Sequence, residues 1–478
     1  MRFTEISDYQ VRPGRLTEWR PRAEEAAWVD DPRPPSYVQE AHLRNARAQR
    51  DSGRGTPTWL ATAFELPGRL DPEALESALL AWTDRHETLR SSLRCVPSPR
   101  GGTDLRRRTL AGGAVSIERR LIGEVARADE VGKHVEELFD HATSPLDWPP
   151  YVFVTVERPD SSTIYLGLDH TNVDGYSILL IAHEIRELYA AAVAGDRAEL
   201  AETGSYLEFS RLERDEASVI GGEHETIAAW REFVRTEGGE LPAFPLAVGG
   251  RQEVPVPQSS TCTWLLDPDQ ADSFEAACRK GGEGFFAGVL ACLGIAGHEV
   301  SGRPSFRALA PFHTRSEARW AASLGWYIGL IPLHIRVAGE GNFHNLTRSA
   351  AAAARDRRPM AKVPFARVCE VLDLPLEPRF VVSYMDMRRT PGAREWREWN
   401  TCAFHSRMTG SDEVYVWIHR NHEGVYVTCR YPDTEAGNRN VLRYIGHLRR
   451  VIDEIAARGS YAIAGLPAIP PADIAIHW

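Results

Sequence analysis

A histidine and an aspartate stand four residues apart in residues 168–177, which read LDHTNVDGYS. In the stretch before them, Ile164, Leu166 and Leu168 fall on one face of an alternating pattern, which is typical of a half-buried strand. If the pleat continues by one residue, His170 lies on the apolar face, where shielding from water disfavours the charged imidazolium. Because a neutral imidazole can accept a proton near pH 7, the sequence predicts a general base at His170.

The same residues also have structural explanations. Asp174 precedes residues 176–190, where isoleucines and leucines recur at helical spacing, so its carboxylate could cap the start of a helix. His170 taken alone could be a hydrogen-bonded core histidine. Asp169, His170 and Asp174 could be metal ligands, but no further His or Cys lies at ligand spacing and a metal site needs a fuller set, so we expect no metal. From the residues alone, the catalytic and structural interpretations both stay open.

Residues 170–177 resemble the second half of the HHxxxDGxS motif of the condensation-domain superfamily. That superfamily includes peptide-synthetase condensation domains, polyketide-associated acyltransferases and chloramphenicol-acetyltransferase-like enzymes. Residues 71–93 are similar to its first long helix, and residues 284–291 and 324–333 to its C-terminal-half helix and the strand that leads to the active-site floor. The resemblance spans most of the chain. One departure is Asp169, which stands where the motif has its first histidine, a position at which the acyltransferase branch tolerates other residues.

Further segments resemble one branch of the superfamily, the actinobacterial polyketide-associated acyltransferases that esterify sugars and lipids. These segments are residues 6–9, 13–19, 34–37, 241–246 and 363–368.

The resemblance implies an α/β fold of two chloramphenicol-acetyltransferase-like subdomains, arranged as a V-shaped pseudo-dimer with a central tunnel. His170 would lie at the middle of this tunnel. A thioester arm would enter from one side and an acceptor from the other, which would hold the reactants in line. The histidine would then remove the proton of an acceptor hydroxyl as it attacks the thioester, or would orient that hydroxyl and stabilise the tetrahedral intermediate.

The resemblance also assigns supporting roles around the histidine. Asp174 would turn away from the tunnel and pair with an arginine, for which Arg315 is the best match. Gly175 would allow a close approach of the backbone beside the histidine. Asp169 and Ser177 would support the site without contacting the substrate.

Three functions follow from the resemblance. The first is transfer of an acyl group from coenzyme A or a phosphopantetheinyl carrier protein to a hydroxyl of a glycolipid, sugar or natural-product acceptor. The second is a free-standing condensation enzyme that forms an amide or ester in nonribosomal peptide or polyketide biosynthesis. The third is a catalytically silent scaffold, suggested by Asp169. In the first two the thioester is a co-substrate, and no bound cofactor is expected.

Length and composition predict a globular protein of two domains. The 478 residues are 43% hydrophobic and 26% charged, and such a length exceeds what one core usually supports. Residues 236–260 are rich in proline and glycine, which is typical of a connector. We place the domain change near residue 205. Residues 1–205 would form the subdomain that carries the HxxxDG motif, and residues 206–478 the subdomain with the floor strand and the connector.

Charge and terminal sequence exclude several classes of protein. The net charge of −10 argues against nucleic acid as a partner. The first residues lack an apolar signal region, and no stretch approaches the ~20 apolar residues of a spanning helix, so we expect a cytoplasmic protein without a transmembrane segment. The seven cysteines form no CxxC pair and are predicted to be reduced. Because a pseudo-dimer within one chain completes the site, we expect a monomer.

Two other histidines lie close together in residues 419–422, which read HRNH. They follow a strand-like stretch in which residues three apart would not share a face. We therefore predict a surface turn there. No GxSxG elbow occurs, which gives a serine-nucleophile hydrolase little support.

Overall fold

The computed structural model describes residues 1–53, 55–97, 103–236, 238–250, 255–375 and 377–464. Strands and helices are interspersed along these ranges. The strands are β1 Phe3–Thr4, β2 Gly14–Arg22, β3 Trp28–Asp31, β4 Trp59–Pro67, β5 Ser91–Pro97, β6 Thr103–Leu110, β7 Ser116–Val125, β8 Tyr151–Glu157, β9 Ser161–Asp169, β10 Val256–Leu266, β11 Ser305–His313, β12 Ile328–Arg336, β13 Phe380–Asp386, β14 Cys402–His405, β15 Thr409–Gly410, β16 Val414–Asn421 and β17 Gly424–Pro432. The helices are α1 Tyr37–Asp51, α2 Pro72–Arg85, α3 Ala128–Ala142, α4 Gly175–Ala194, α5 Tyr206–Ser218, α6 Glu225–Arg235, α7 Pro268–Lys280, α8 Phe285–Ser301, α9 Phe343–Arg357, α10 Phe365–Leu372 and α11 Glu435–Arg458.

The first sheet carries the motif strand, β9, at its centre. Within the described residues its strand order is β1-β14-β4-β9-β8-β2-β7. β9 pairs antiparallel with β8 on one side and with β4 on the other, in a register that sets Trp59 opposite Asp169. The C-terminal end of β9 is thus fixed by two neighbours at the point where the loop to α4 begins.

Every residue of β9 is buried, so the half-buried strand predicted from the alternating pattern is wrong. The apolar face of β9 packs in a cluster with residues of α2 and α4. The opposite face is covered as well, because Tyr165 joins a second cluster with residues of α3. An added Cβ on Gly167 would lie only 2.6 Å from the Phe139 ring of that helix. Gly167, one of the non-apolar positions of the alternating pattern, therefore makes room for α3 and is not exposed to water.

The second sheet is formed by strands between residues 256 and 432. Among the described residues its order is β12-β11-β13-β16-β17-β10-β15. β13 and β16 run parallel, with Val381 opposite Tyr415, whereas β17 is antiparallel to both of its main neighbours. One face packs against α8, which is flanked by α9 and α11. Because α8 is covered on several sides, nearly all of its residues from Phe285 to His298 are buried.

The surface turn predicted at residues 419–422 is wrong for three of the four residues. His419, Arg420 and Asn421 form the buried end of β16. These polar residues are buried because β16 is a central strand of its sheet. Arg420 Nη2 pairs with Glu275 Oε2 at 2.8 Å. Only His422 is exposed, in the turn to β17.

A strand from the second half of the chain completes the first sheet. β14 pairs antiparallel with β4 and parallel with β1. Its Phe404 is fully buried, with ring centroids 5.4 Å from Tyr9 and 6.4 Å from Tyr165. The two sheet-rich halves, joined by this crossing strand, confirm the predicted α/β fold. The tunnel and the domain boundary near residue 205 stay predictions.

Two other predictions concern particular segments. The described parts of residues 236–255 contain no helix or strand before β10 begins, whereas residues 237 and 251–254 of the predicted connector lie outside the described residues. Of the helices within the described ranges, none alone is long and apolar enough to cross a membrane. α7 and α8, which meet at a bend of 92°, meet that criterion as a pair by length and composition.

Candidate active site

The motif histidine follows directly on the buried strand β9. His170 N donates a hydrogen bond to Thr58 O at 3.2 Å, in the residue before β4, so the backbone of the loop continues the pairing of the two strands. α4 begins five residues later, at Gly175. The histidine is therefore held between a central strand and the start of a helix, and neither can move independently of the sheet.

The imidazole of His170 stacks on an indole from the second half of the chain. Its ring centroid lies 3.7 Å from that of Trp326, with 28° between the ring planes. The side chain keeps partial exposure, but Nδ1 is buried and has no hydrogen-bond partner among the described residues. Trp326 lies in the segment that resembles the strand leading to the active-site floor, so this contact joins the motif to the floor.

The surroundings of His170 favour the neutral form of its ring. Burial lowers the pKa of His170 most, and repulsion from His42 lowers it further, to about 4. Asp169 and Asp174 act in the opposite direction and do not compensate. His170 is therefore a free base at neutral pH, as a proton acceptor must be.

Asp174 contacts Arg315, the arginine that the resemblance matched to it. Arg315 Nη1 and Nη2 lie 2.6 and 3.1 Å from its two carboxylate oxygens. The backbone N–H groups of Ser177 and Tyr327 also donate to it, at 2.7 and 3.1 Å. Burial acts to raise the pKa of Asp174, but Arg315 and these hydrogen bonds outweigh it and hold the pKa below the usual carboxyl range. The aspartate is thus both the cap of α4 and one half of a buried ion pair.

Arg315 and Ser177 tie the start of α4 to the floor segment. Arg315 Nη2 donates to Ser177 Oγ at 2.9 Å and to Ser323 O at 3.2 Å. Ser177 Oγ in turn donates to Gly325 O at 3.0 Å. The serine is fully buried in this network, which matches a supporting residue better than a nucleophile.

The packing of the protein does not itself require glycine at position 175. An added Cβ on Gly175 would meet Met385 Cε at 3.7 Å, an ordinary contact. The close approach occurs instead at Gly325, where a Cβ would lie 2.3 Å from the Tyr206 ring. The role of Gly175 in giving room beside the histidine stays a prediction about substrate.

Asp169, at the position of the first motif histidine, is bound by an imidazole from elsewhere in the chain. His42 Nε2, on α1, lies 3.2 and 3.3 Å from the two Asp169 oxygens. Thr58 Oγ1 and Thr171 N donate to the same carboxylate at 2.6 and 2.8 Å. Burial acts to raise the pKa of Asp169, but His42 and these hydrogen bonds hold it below the usual carboxyl range. The carboxylate is thus charged and fully occupied within the protein.

Sequence reasoning missed His42, Thr58 and the stacking role of Trp326. Trp326 lies inside a segment that resembled the family, so an aromatic residue there was a usable signal. His42 and Asp169 are separated by 127 residues, and nothing in the local pattern of α1 indicates its partner.

This arrangement can remove a proton from a group that reaches His170, with Trp326 as an apolar wall beside it. In the parts of the chain that the structure describes, no three His, Cys, Asp or Glu side chains are placed to hold a metal ion. The contacts of His170 with Trp326 and its lowered pKa fit acid–base chemistry carried by one imidazole.

Comparisons with known proteins agree along nearly the whole chain. A family model for the condensation domain matches residues 53–472. Acyltransferase PapA3 of Mycobacterium tuberculosis is 28% identical over 476 residues, covering 95% of this chain and 96% of that protein. PapA1 of the same organism, a 2'-acyl-2-O-sulfo-trehalose (hydroxy)phthioceranyltransferase, is 28% identical and covers 95% of this chain and 89% of its own length. The solved structure of a PapA2 acyl transferase matches with a TM-score of 0.86 and 25% identity, over 95% of this chain and 100% of the other.

Proposed function

Since the chain belongs to the condensation-domain family and is an acyltransferase, we propose that it transfers an acyl group from a thioester to a hydroxyl of a sugar or glycolipid, with His170 as the general base. The observation that carries the role of His170 is its imidazole, neutral above about pH 4 and stacked on Trp326.

In the proposed reaction, the acceptor oxygen attacks the carbonyl carbon of the thioester while its proton moves to His170. We assign Nε2 to this step, since Nδ1 is buried. The tetrahedral intermediate then breaks its C–S bond, and the leaving thiolate takes the proton from the imidazolium. The products are an ester and a free thiol, and His170 returns to its neutral form. In the alternative role, His170 only orients the hydroxyl and stabilises the intermediate.

The acceptor class is proposed from the relatives. PapA1 is named for transfer to a sulfated, acylated trehalose, so a hydroxyl of a disaccharide or of a glycolipid built on one is the proposed acceptor here. The donor is proposed to be an acyl thioester of coenzyme A or of a phosphopantetheinyl carrier protein, used as a co-substrate with no bound cofactor. A carrier protein would then be a transient partner of a monomeric enzyme in the cytoplasm.

The proposal is tested by acyl transfer from a panel of coenzyme A and carrier-protein thioesters to trehalose, sulfated trehalose and amine acceptors. We expect ester formation, and we expect His170→Ala to lower turnover by about a hundred- to ten-thousandfold with little change in folding. His134→Ala, at an exposed position on α3, is the matched control and should retain wild-type turnover.

Each contrary outcome would overturn a different part of the proposal. Undiminished turnover in His170→Ala would remove the histidine as the base. Products formed only with amine acceptors would favour a condensation enzyme of peptide biosynthesis. No transfer from any thioester by the wild-type protein would favour a catalytically silent scaffold.

A further inference from the structure

The rings of His42 and His170 meet the same tryptophan from two directions. His42 contacts Trp326 edge to face, with centroids 5.4 Å apart and 75° between the planes, whereas His170 stacks on it at 3.7 Å. His42 Nε2 is at the same time held by Asp169 and Thr58. The α1 helix, the end of β9 and the floor segment therefore converge on one small group of side chains.

α1 is anchored firmly enough to present His42 at a fixed position. It begins with a capping box, in which the side chains of Ser36 and Gln39 each accept a hydrogen bond from the other residue's backbone N–H. Gln39 Nε2 also donates to Thr171 O at 2.8 Å, in the motif loop itself. The helix that carries His42 is thus hydrogen bonded to the residue that follows His170.

The charged groups that act on the His170 ring come from three elements. They are His42 from α1, Asp169 from β9 and Asp174 from the start of α4. Asp174 is already compensated by Arg315, whose guanidinium lies 2.6 Å from it. Burial lowers the pKa of His170 most, and among the charged groups the balance between His42 and Asp169 therefore adjusts how strongly a proton is attracted to it.

A buried carboxylate without His42 would favour protonation of the neighbouring histidine. A negative charge within a few ångströms raises the pKa of an imidazole, and in a buried site water does not screen it well. A protonated His170 could not accept a proton from an acceptor. His42, hydrogen bonded to the same carboxylate, satisfies it and offsets this attraction.

We propose that His42 is a positioning residue for the acyl transfer: its pair with Asp169 joins α1 to the end of β9 and offsets the attraction of that carboxylate for a proton on His170. This inference rests on the proposed function of His170. A purely structural pair, which only fastens α1 to β9, is the competing explanation.

The two explanations differ in the titration of His170, which can be measured without substrate. We would label the histidines with ¹³C, follow their ring signals by NMR as a function of pH, and assign His170 by the signal absent from His170→Ala. His42→Gln keeps a donor for the Asp169 carboxylate but removes the imidazole. We expect the His170 midpoint in this variant to rise by about one pH unit.

Asp169→Asn is the complementary variant, because it keeps the shape of the side chain and removes the anion. The His170 midpoint should then stay at or below its wild-type value. In the double variant His42→Gln/Asp169→Asn, both members of the pair are replaced and the midpoint should return close to that of the wild type. A structural pair would shift His170 in the same direction in both single variants, or not at all, and either result would overturn the proposal.

The pH dependence of acyl transfer supplies a second readout. The acid limb of kcat/KM should move to higher pH in His42→Gln and should not do so in Asp169→Asn. Activity that survives in His170→Ala would count against the proposed function, whereas an unmoved acid limb in an active His42→Gln enzyme would count against the role of His42 alone. The NMR result remains decisive for the pair in either case.

Discussion

At the scale of single residues, the chemistry of His170 depends on what surrounds it more than on its type. An exposed histidine titrates near pH 6.5, so about a quarter of such side chains are protonated at pH 7. Burial, and then His42, lower the pKa of His170 to about 4. A base with this pKa is weak but always available, which suits a reaction whose acceptor is already positioned beside it.

A first consequence is the pH dependence of the reaction. In the proposed mechanism, protonation of His170 removes the base, so activity is lost as the pH falls through its folded-state pKa. We expect kcat/KM to stay nearly constant from pH 8 to about pH 5 and to fall towards pH 4, as the lowered pKa of His170 requires. A series of kcat/KM measurements over this range checks it, with His134→Ala as a control of unchanged profile. A midpoint near 6.5 would show that the ring is hydrated in the working enzyme.

The pair of Asp174 and Arg315 predicts a loss of stability. Asp174→Ala leaves a guanidinium buried without its partner, so we expect the free energy of unfolding to fall by about 3 to 5 kcal/mol. Asp386→Ala is the matched control, because its pair with Arg388 is more exposed and should contribute less than about 1 kcal/mol. Urea unfolding of the variants gives the comparison. A fully stable Asp174→Ala protein would show that the pair has no structural role.

The residues that could be predicted from the sequence are those of one continuous segment. His170, Asp174 and Ser177 lie within eight residues, and the family resemblance supplied Arg315. His42 and Thr58 could not be found in this way, since their contacts with Asp169 depend on how α1 and β4 pack in three dimensions. Asp169 departs from the motif in sequence, and the residue that pairs with it, His42, lies on α1.

At the scale of elements, close packing fixes the floor segment against α5. An alanine at Gly325 would place its Cβ 2.3 Å from the Tyr206 ring and 2.8 Å from Tyr327, whereas an alanine at Gly175 meets only an ordinary contact. Gly175 is also the first residue of α4, where alanine is tolerated well. A methyl group would therefore destabilise the fold more at Gly325 than at Gly175.

We expect Gly325→Ala to lower the free energy of unfolding by about 1 to 3 kcal/mol, and Gly175→Ala to leave it nearly unchanged. Thermal unfolding of the two variants measures the difference. The activity of Gly175→Ala then tests the room beside His170: a well-folded variant with reduced turnover would support a close approach of substrate there. Equal stability losses in both variants would contradict the packing at Gly325.

Element types followed from the sequence more readily than element burial. The alternation in β9 predicted a half-buried strand and residues 419–422 a surface turn, whereas β9 and the end of β16 are central and buried. An alternating pattern reports exposure only when one face of the sheet is open. In this chain α3 covers the second face of β9, and Arg420 at the end of β16 pairs with Glu275. Neither neighbour can be inferred from the strand itself.

At the scale of the whole molecule, the two halves share a sheet. β14 belongs to the second half of the chain but lies between β1 and β4 of the first sheet, with Phe404 buried against Tyr9 and Tyr165. The site depends on the same contact between halves, because His170 comes from one and Trp326 from the other. Separation of the halves would therefore remove the wall of the site together with a strand of the sheet.

This shared strand predicts that the two halves unfold together. Phe404→Ala removes a fully buried ring and should lower the free energy of unfolding by about 3 to 5 kcal/mol. Because β14 comes from the second half of the chain and pairs within the first sheet, we expect the loss of stability to be equal in both halves. Phe286→Ala, on α8 in the second half, is the control, and we expect its loss of stability to be equal in both halves as well. Hydrogen exchange at increasing urea, followed in peptides from β9 and from β17, measures the two halves separately. If Phe404→Ala lowered protection in β9 and left β17 unchanged, the halves would be independent folding units, and the contact between His170 and Trp326 would have to form after each half had folded.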